Sequence, residues 1–241
     1  MVPIESGAYD LSKTAVVITQ PGGGCRATNY IALIRKALRD SGHADIPVIS
    51  LSAVKLDEEN PGFKLTPTML KAAVYSVLFG DVMMQMLYRC RPYEATPGAA
   101  NQLFEQFMDR SRKLAPAFNR RNFTKLSREA IRAFDTMPLV GEGTKPRVGV
   151  VGEILVKFHP TANNHVVDVI EAEGCEAVVP GLLDFFLYSM SNATVQKNEL
   201  GSSAVTRAGM DAAIGMVDWM RKPVEEMLEQ SERFERPEPI S

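Results

Sequence analysis

Residues 14–29, TAVVITQPGGGCRATN, decide how the rest of the chain is read. Ala15, Val16, Val17 and Ile18 form an apolar, largely β-branched run closed off by Pro21 and Gly22, the composition of a buried strand. Beyond the glycines Gly22, Gly23 and Gly24, the residues Tyr30, Ile31, Leu33, Ile34, Ala37 and Leu38 recur at helical spacing. The stretch is therefore predicted as strand, glycine turn and helix, with Cys25 at the helix start. Ser41-Gly42 is a helix stop and Ile46 to Leu51 a second strand. A right-handed crossover then makes the strands parallel and places the glycine turn at their carboxyl edge, where open α/β sheets bind ligands.

A turn of this kind presents backbone N–H groups at the positive end of a helix, which suits an anion and favours a thiolate over a thiol. Gly23, Gly24, Cys25 and Arg26 are accordingly the candidate binding residues, with Cys25 a nucleophile or metal ligand. The alternative is a tight corner with Cys25 as a small, half-buried hydrophobe. Arg26 and Ala27 stand where a dinucleotide fingerprint needs its third glycine, and no Walker Lys-Ser/Thr pair follows, so a nucleotide loop is disfavoured.

The 241 residues, 45% of them hydrophobic, suffice for one large domain or two lobes. With 29 acidic and 27 basic residues the net charge of -2 gives no long-range field toward nucleic acid or an anionic membrane. Cys25, Cys90 and Cys175 are sparse and unclustered, as suits a reducing compartment, and the first residues lack the pattern of a signal peptide. The expected location is cytoplasmic, with no nucleic-acid or membrane partner.

Thr66-Pro67 is an N-cap followed by a first-turn proline and opens a long, heavily apolar helix to about Tyr88. Arg89-Cys90-Arg91-Pro92-Tyr93-Glu94 ends it, either as an anion-holding pair of arginines or as a solvated helix end. Two amphipathic helices, about 99–114 and 125–136, carry basic outer faces. A second strand-helix-strand unit follows, with strands at Val148 to Gly152 and Glu176 to Pro180. Its carboxyl-edge loop holds Glu153, Lys157, His159, Asn163 and His165, of which Glu153 and His159 are candidate acid/base groups; the alternative is that the histidines satisfy local loop and cap bonds. A short apolar helix at 182–190 and a longer one at 204–230 complete the chain.

At GGGCRATNYIALIRKAL, IPVISLS, YRCRPYE and GVVGEILVKFHPTANNHVVDVIEAEG the sequence resembles the 2-hydroxyacyl-CoA dehydratase superfamily, in its acyl-CoA dehydratase activase-related branch. The resemblance implies a dehydratase-like segment of an iron-sulfur protein of anaerobic metabolism. It further implies Cys25 as a ligand of a [4Fe-4S] cluster whose other ligands lie outside this chain, an ATP-dependent activator as electron donor, and an acyl-CoA substrate. Cys90 and Cys175 match no ligand position of that pattern. The alternative function is a non-redox α/β binding or scaffold domain that takes an anion such as a CoA ester at the glycine turn; a cysteine-nucleophile transferase is a third.

The expected fold class is α/β, with two βαβ units of Rossmann-like or flavodoxin-like form, a helical insertion between them and a C-terminal helix. The expected divisions are 1–64, 65–140, 141–200 and 201–241, in a piece of a longer polypeptide, with an oligomer among the expected assemblies.

Overall fold

The computed structural model describes residues 2–20, 26–51, 66–187 and 204–234. They form a mixed α/β structure, mostly helical, with two short parallel two-stranded sheets. The chain divides into two compact units, Met1–Leu65 and Thr66–Ser241.

In the first unit a short helix α1 (Val2–Glu5) and a 3₁₀ turn precede strand β1 (Val16–Thr19), helix α2 (Tyr30–Asp40) and strand β2 (Val48–Leu51). The strands are parallel, with Val16 opposite Val48 and Thr19 opposite Leu51. Val16 and Ile18 turn inward against Ile31, Leu38, Ile46 and Val48, while Val17 stays about half exposed. β1 is thus covered on one face only, where the unbroken apolar run predicts a buried strand. Helix α2 ends in a Schellman motif: Gly42, at φ 80°, donates to Arg39 O and His43 donates to Leu38 O.

The second unit is built on α3 (Pro67–Cys90), 24 residues long, opened by Thr66 Oγ1 accepting the Met69 N–H at 3.2 Å. Its length and apolarity would suffice to cross a membrane, yet Phe79, Met83, Met86 and Cys90 are wholly enclosed in a protein core. That core is closed by α4 (Ala99–Leu114), α5 (Arg120–Asp135), the helical residues 182–187 (α8) and α9 (Ala204–Glu229). Tyr75 meets Phe123 at 4.8 Å between ring centroids, and Phe118 lies edge-on to Phe123.

α5 begins five residues before its expected start, because Asn119 and Asn122 form a reciprocal capping box. The expected pattern of Glu or Gln at the third position is absent, so the box is invisible to a simple motif search.

Strand β3 (Arg147–Gly149) pairs in parallel with β4 (Glu176–Val178), Arg147 facing Glu176. Between them lie α6 (Ile154–Phe158) and α7 (Val166–Ala172). Both strands are shorter than expected. β3 is exposed along its length, whereas Glu176 and Ala177 of β4 are buried. The segments 66–140, 141–200 and 201–241 thus fall within one unit, sharing a core to which α3, α4, α5, α8 and α9 all contribute.

Candidate functional site

At the carboxyl edge of the first sheet, Gln20 is the residue that follows β1 and is buried. Its Nε2 donates to Thr28 O at 3.1 Å, and Ser50 Oγ donates to its Oε1 at 2.8 Å. One side chain therefore ties the end of β1 to β2 and to the 3₁₀ turn Arg26–Asn29 that leads into α2. Gln20 and Thr28, so joined, stand on either side of the glycine-rich segment in the sequence. Asn29 makes no side-chain cap to α2, and Thr28 Oγ1 is buried without a hydrogen bond among the described residues. Arg26 is exposed. Gly23, Gly24 and Cys25 lie outside the described residues.

In the second unit Glu153 and His159 stand at opposite ends of α6. The Glu153 carboxylate accepts the N–H groups of Leu155 (3.1 Å) and Val156 (3.4 Å), and His159 Nδ1 accepts that of Ala162 (3.3 Å). Asn163 Oδ1 caps α7 through the Val166 N–H at 3.2 Å. Asn164 and His165 follow one another in the left-handed region, at φ 56° and 55°, a conformation that costs free energy in residues with a side chain.

Sequence reasoning passed over the groups with the most perturbed electrostatics at this edge. Asp81, midway along α3, receives the N–H groups of Leu182 (2.9 Å) and Leu183 (2.8 Å) and so caps α8 from a distance. Gly181 makes this possible. A Cβ there would stand 3.0 Å from Oδ2 of both Asp81 and Asp184, so the two carboxylates flank one methyl-sized space.

Burial pushes the Asp81 carboxyl up to about 6 against the pull of its two N–H bonds, and the Asp184 charge adds to the rise. Asp184 is raised by burial too, and Lys157 is lowered by burial despite both carboxylates. Arg221 of α9 holds Asp184 at 3.3 Å, together with Asp218 and Glu225. Asp81, Asp184 and Lys157 are thus coupled titrating groups, a combination characteristic of sites that handle protons. The only sequence signal for Asp81 was a lone carboxylate within an apolar helix.

The segment 89–94 is a tie between elements rather than a solvated helix end. Glu176, 2% exposed, accepts from Arg89 Nη1 at 2.6 Å and Tyr93 OH at 3.0 Å, with Arg147 at 3.2 Å. Arg91 grips Glu171 through two bonds of 2.7 and 2.9 Å, the fork geometry that lysine cannot reproduce. Glu94 accepts the N–H groups of Gly98 and Ala100 at the start of α4. Both arginines are therefore occupied by protein carboxylates. A depression of about 570 Å³ is lined by Arg89, Arg233, Asp135, Glu142, Glu232 and Gln230; its two cations and three carboxylates select no ligand charge.

Among the described residues no three His, Cys, Asp or Glu side chains are grouped to hold a metal ion. Cys90 is wholly buried and its thiol is pushed up to about 12 by desolvation, so it does not supply a thiolate. Cys175 is half-buried, its Sγ 3.9 Å from Glu173 O. The described residues alone do not fit an iron-sulfur cluster.

No family model, curated protein or solved structure matches this chain.

Proposed function

We propose that this chain is the dehydratase-like segment of an iron-sulfur redox protein of the 2-hydroxyacyl-CoA dehydratase kind, with Cys25 as a cluster ligand. The observation that carries the reading is the Gln20–Ser50–Thr28 brace, which joins the strand end and the helix start that flank Cys25 in the sequence. Support also comes from the resemblance at GGGCRATNY and GEILVKFHPTANNH, and from the parallel pairing in each unit, read here as parts of Rossmann-like βαβ units. When bound, the cluster would supply single-electron chemistry, charged by an ATP-dependent activator, for loss of water from a 2-hydroxyacyl-CoA. This chain's contribution would be the Cys25 thiolate, supplied from the segment that joins β1 to the helical residues before α2. The remaining ligands belong to another polypeptide segment or a partner, since Cys90 does not fit.

A second reading is favoured by the uncapped start of α2: a non-redox domain that binds an anion such as a CoA phosphate at the same turn. Anaerobic preparation with iron and sulfide separates the two. The redox reading expects iron and sulfide retained with a brown, oxygen-bleached absorbance that Cys25→Ser abolishes. Colourless protein that binds CoA esters equally well with and without Cys25→Ser overturns it.

A further inference from the structure

We propose that the outer face of α5 docks an acidic helix of a partner protein, an inference independent of the cluster reading. Arg121, Lys125, Arg128 and Arg132 are all exposed and recur at i, i+4, i+7 and i+11, one row about 16 Å long on the helix surface. The opposite face, with Phe123, Leu126, Ala130, Ile131 and Phe134, is sealed in the core.

Glu129, one turn along from Lys125, offsets part of its charge, but no ion pair closes on the row among the described residues. Glu129 of the same helix is turned to Arg110, and Asp135 accepts from Ser231 Oγ at 2.6 Å. None of the four cations forms an ion pair among the described residues.

The arrangement works against the helix that bears it. Residues 121 and 125, 125 and 128, and 128 and 132 are like-charged neighbours on the helix surface, and such pairs are destabilising. Arg121 also lies in a first turn that holds no acidic residue, where a cation opposes the helix dipole. A local rule broken with so little compensation inside the helix marks a surface kept for something other than folding.

The geometry favours protein carboxylates over other anions. A membrane-surface helix needs an apolar face free to enter the lipid boundary, and that face of α5 is already buried. Nucleic acid would meet a chain of net charge -2, and α4, which packs beside α5, exposes Glu105 and Asp109. A single row of cations at helical spacing is instead complemented by a single row of Glu or Asp at the same spacing on another helix. Such a contact is steered by charge and sensitive to salt.

The test uses the full chain and a fluorescent, helix-stapled peptide with Glu at i, i+4, i+7 and i+11, read by anisotropy. Binding is expected to weaken about tenfold or more between about 20 and 200 mM NaCl. It should weaken by about the same factor in the combined variant Arg121→Gln, Lys125→Gln, Arg128→Gln, Arg132→Gln, which should melt no lower than the parent because repulsion is removed. The pairs Arg121→Gln/Lys125→Gln and Arg128→Gln/Arg132→Gln, each expected to weaken binding in part, serve if the combined variant does not fold. The proposal is overturned if a peptide of equal composition with its acids spread around the helix binds as tightly. It is equally overturned if the variants bind unchanged, or if a single-stranded oligonucleotide or phosphatidylserine vesicles bind better than the peptide.

Discussion

Asp81 projects from the middle of α3 to take two backbone N–H groups of α8, and does so beside a second carboxylate, Asp184. Its ionised form is disfavoured in the fold relative to the unfolded chain, where the value is near 3.8. The neutral form therefore contributes stability that is fully present below about pH 4 and is lost as the pH rises through about 6. Relative to Asp81→Asn, which cannot ionise, the parent should lose up to about 3 kcal/mol between pH 4 and pH 7. Urea unfolding of both proteins across that range checks this; parallel pH profiles would place the titration elsewhere. At this scale the sequence named Glu153 and His159, whose local spacing announces a loop and its caps. It could not name Asp81, because its partners lie about a hundred residues away.

Among elements, the decisive contact joins the end of α3 to the start of β4. Glu176 gathers Arg89, Tyr93 and Arg147 at a nearly solvent-free point, and Arg91 anchors α7 through Glu171. Removing Glu176 leaves Arg89 only the longer ion pair to Glu142 at 3.7 Å, so Glu176→Ala should destabilise the second unit by up to roughly 3 kcal/mol. Arg147→Ala removes a half-exposed partner and should cost no more than about 1 kcal/mol. Chemical denaturation of both variants reads the difference, and equal losses would mean that Glu176 is not the hub. The helices themselves were largely legible. Thr66-Pro67 announces α3, and apolar periodicity announces α2, α4 and α9, because caps and periodicity are properties of adjacent residues. α6 was not foreseen, since a five-residue helix is too short to show a period.

For the whole molecule, the described core of residues 66–241 is assembled from side chains of that unit. A fragment spanning 66–241 should therefore fold alone, with a cooperative thermal transition and helical circular dichroism. The first unit rests on a small cluster around Ile31, Leu38, Ile46 and Val48. A fragment 1–65 is near the size at which a single core is marginal, and it should unfold at lower urea concentration than 66–241. The reverse order of midpoints would show that burial in the first unit is larger than its described core.

Read alone, the sequence determined the elements and their class: a strand and a helix flanking a glycine-rich segment, long apolar helices, and a second strand-bearing half. These follow from spacing and turn chemistry within a few residues, where steric and hydrogen-bond preferences act directly on the backbone. Tertiary structure alone decided that Arg89 and Arg91 hold protein carboxylates rather than an outside anion. It alone brought Asp81 beside Asp184 and left the four cations of α5 without an ion pair among the described residues. Burial, desolvation and charge pairing depend on which distant side chains share a space, and no local pattern of residues records that.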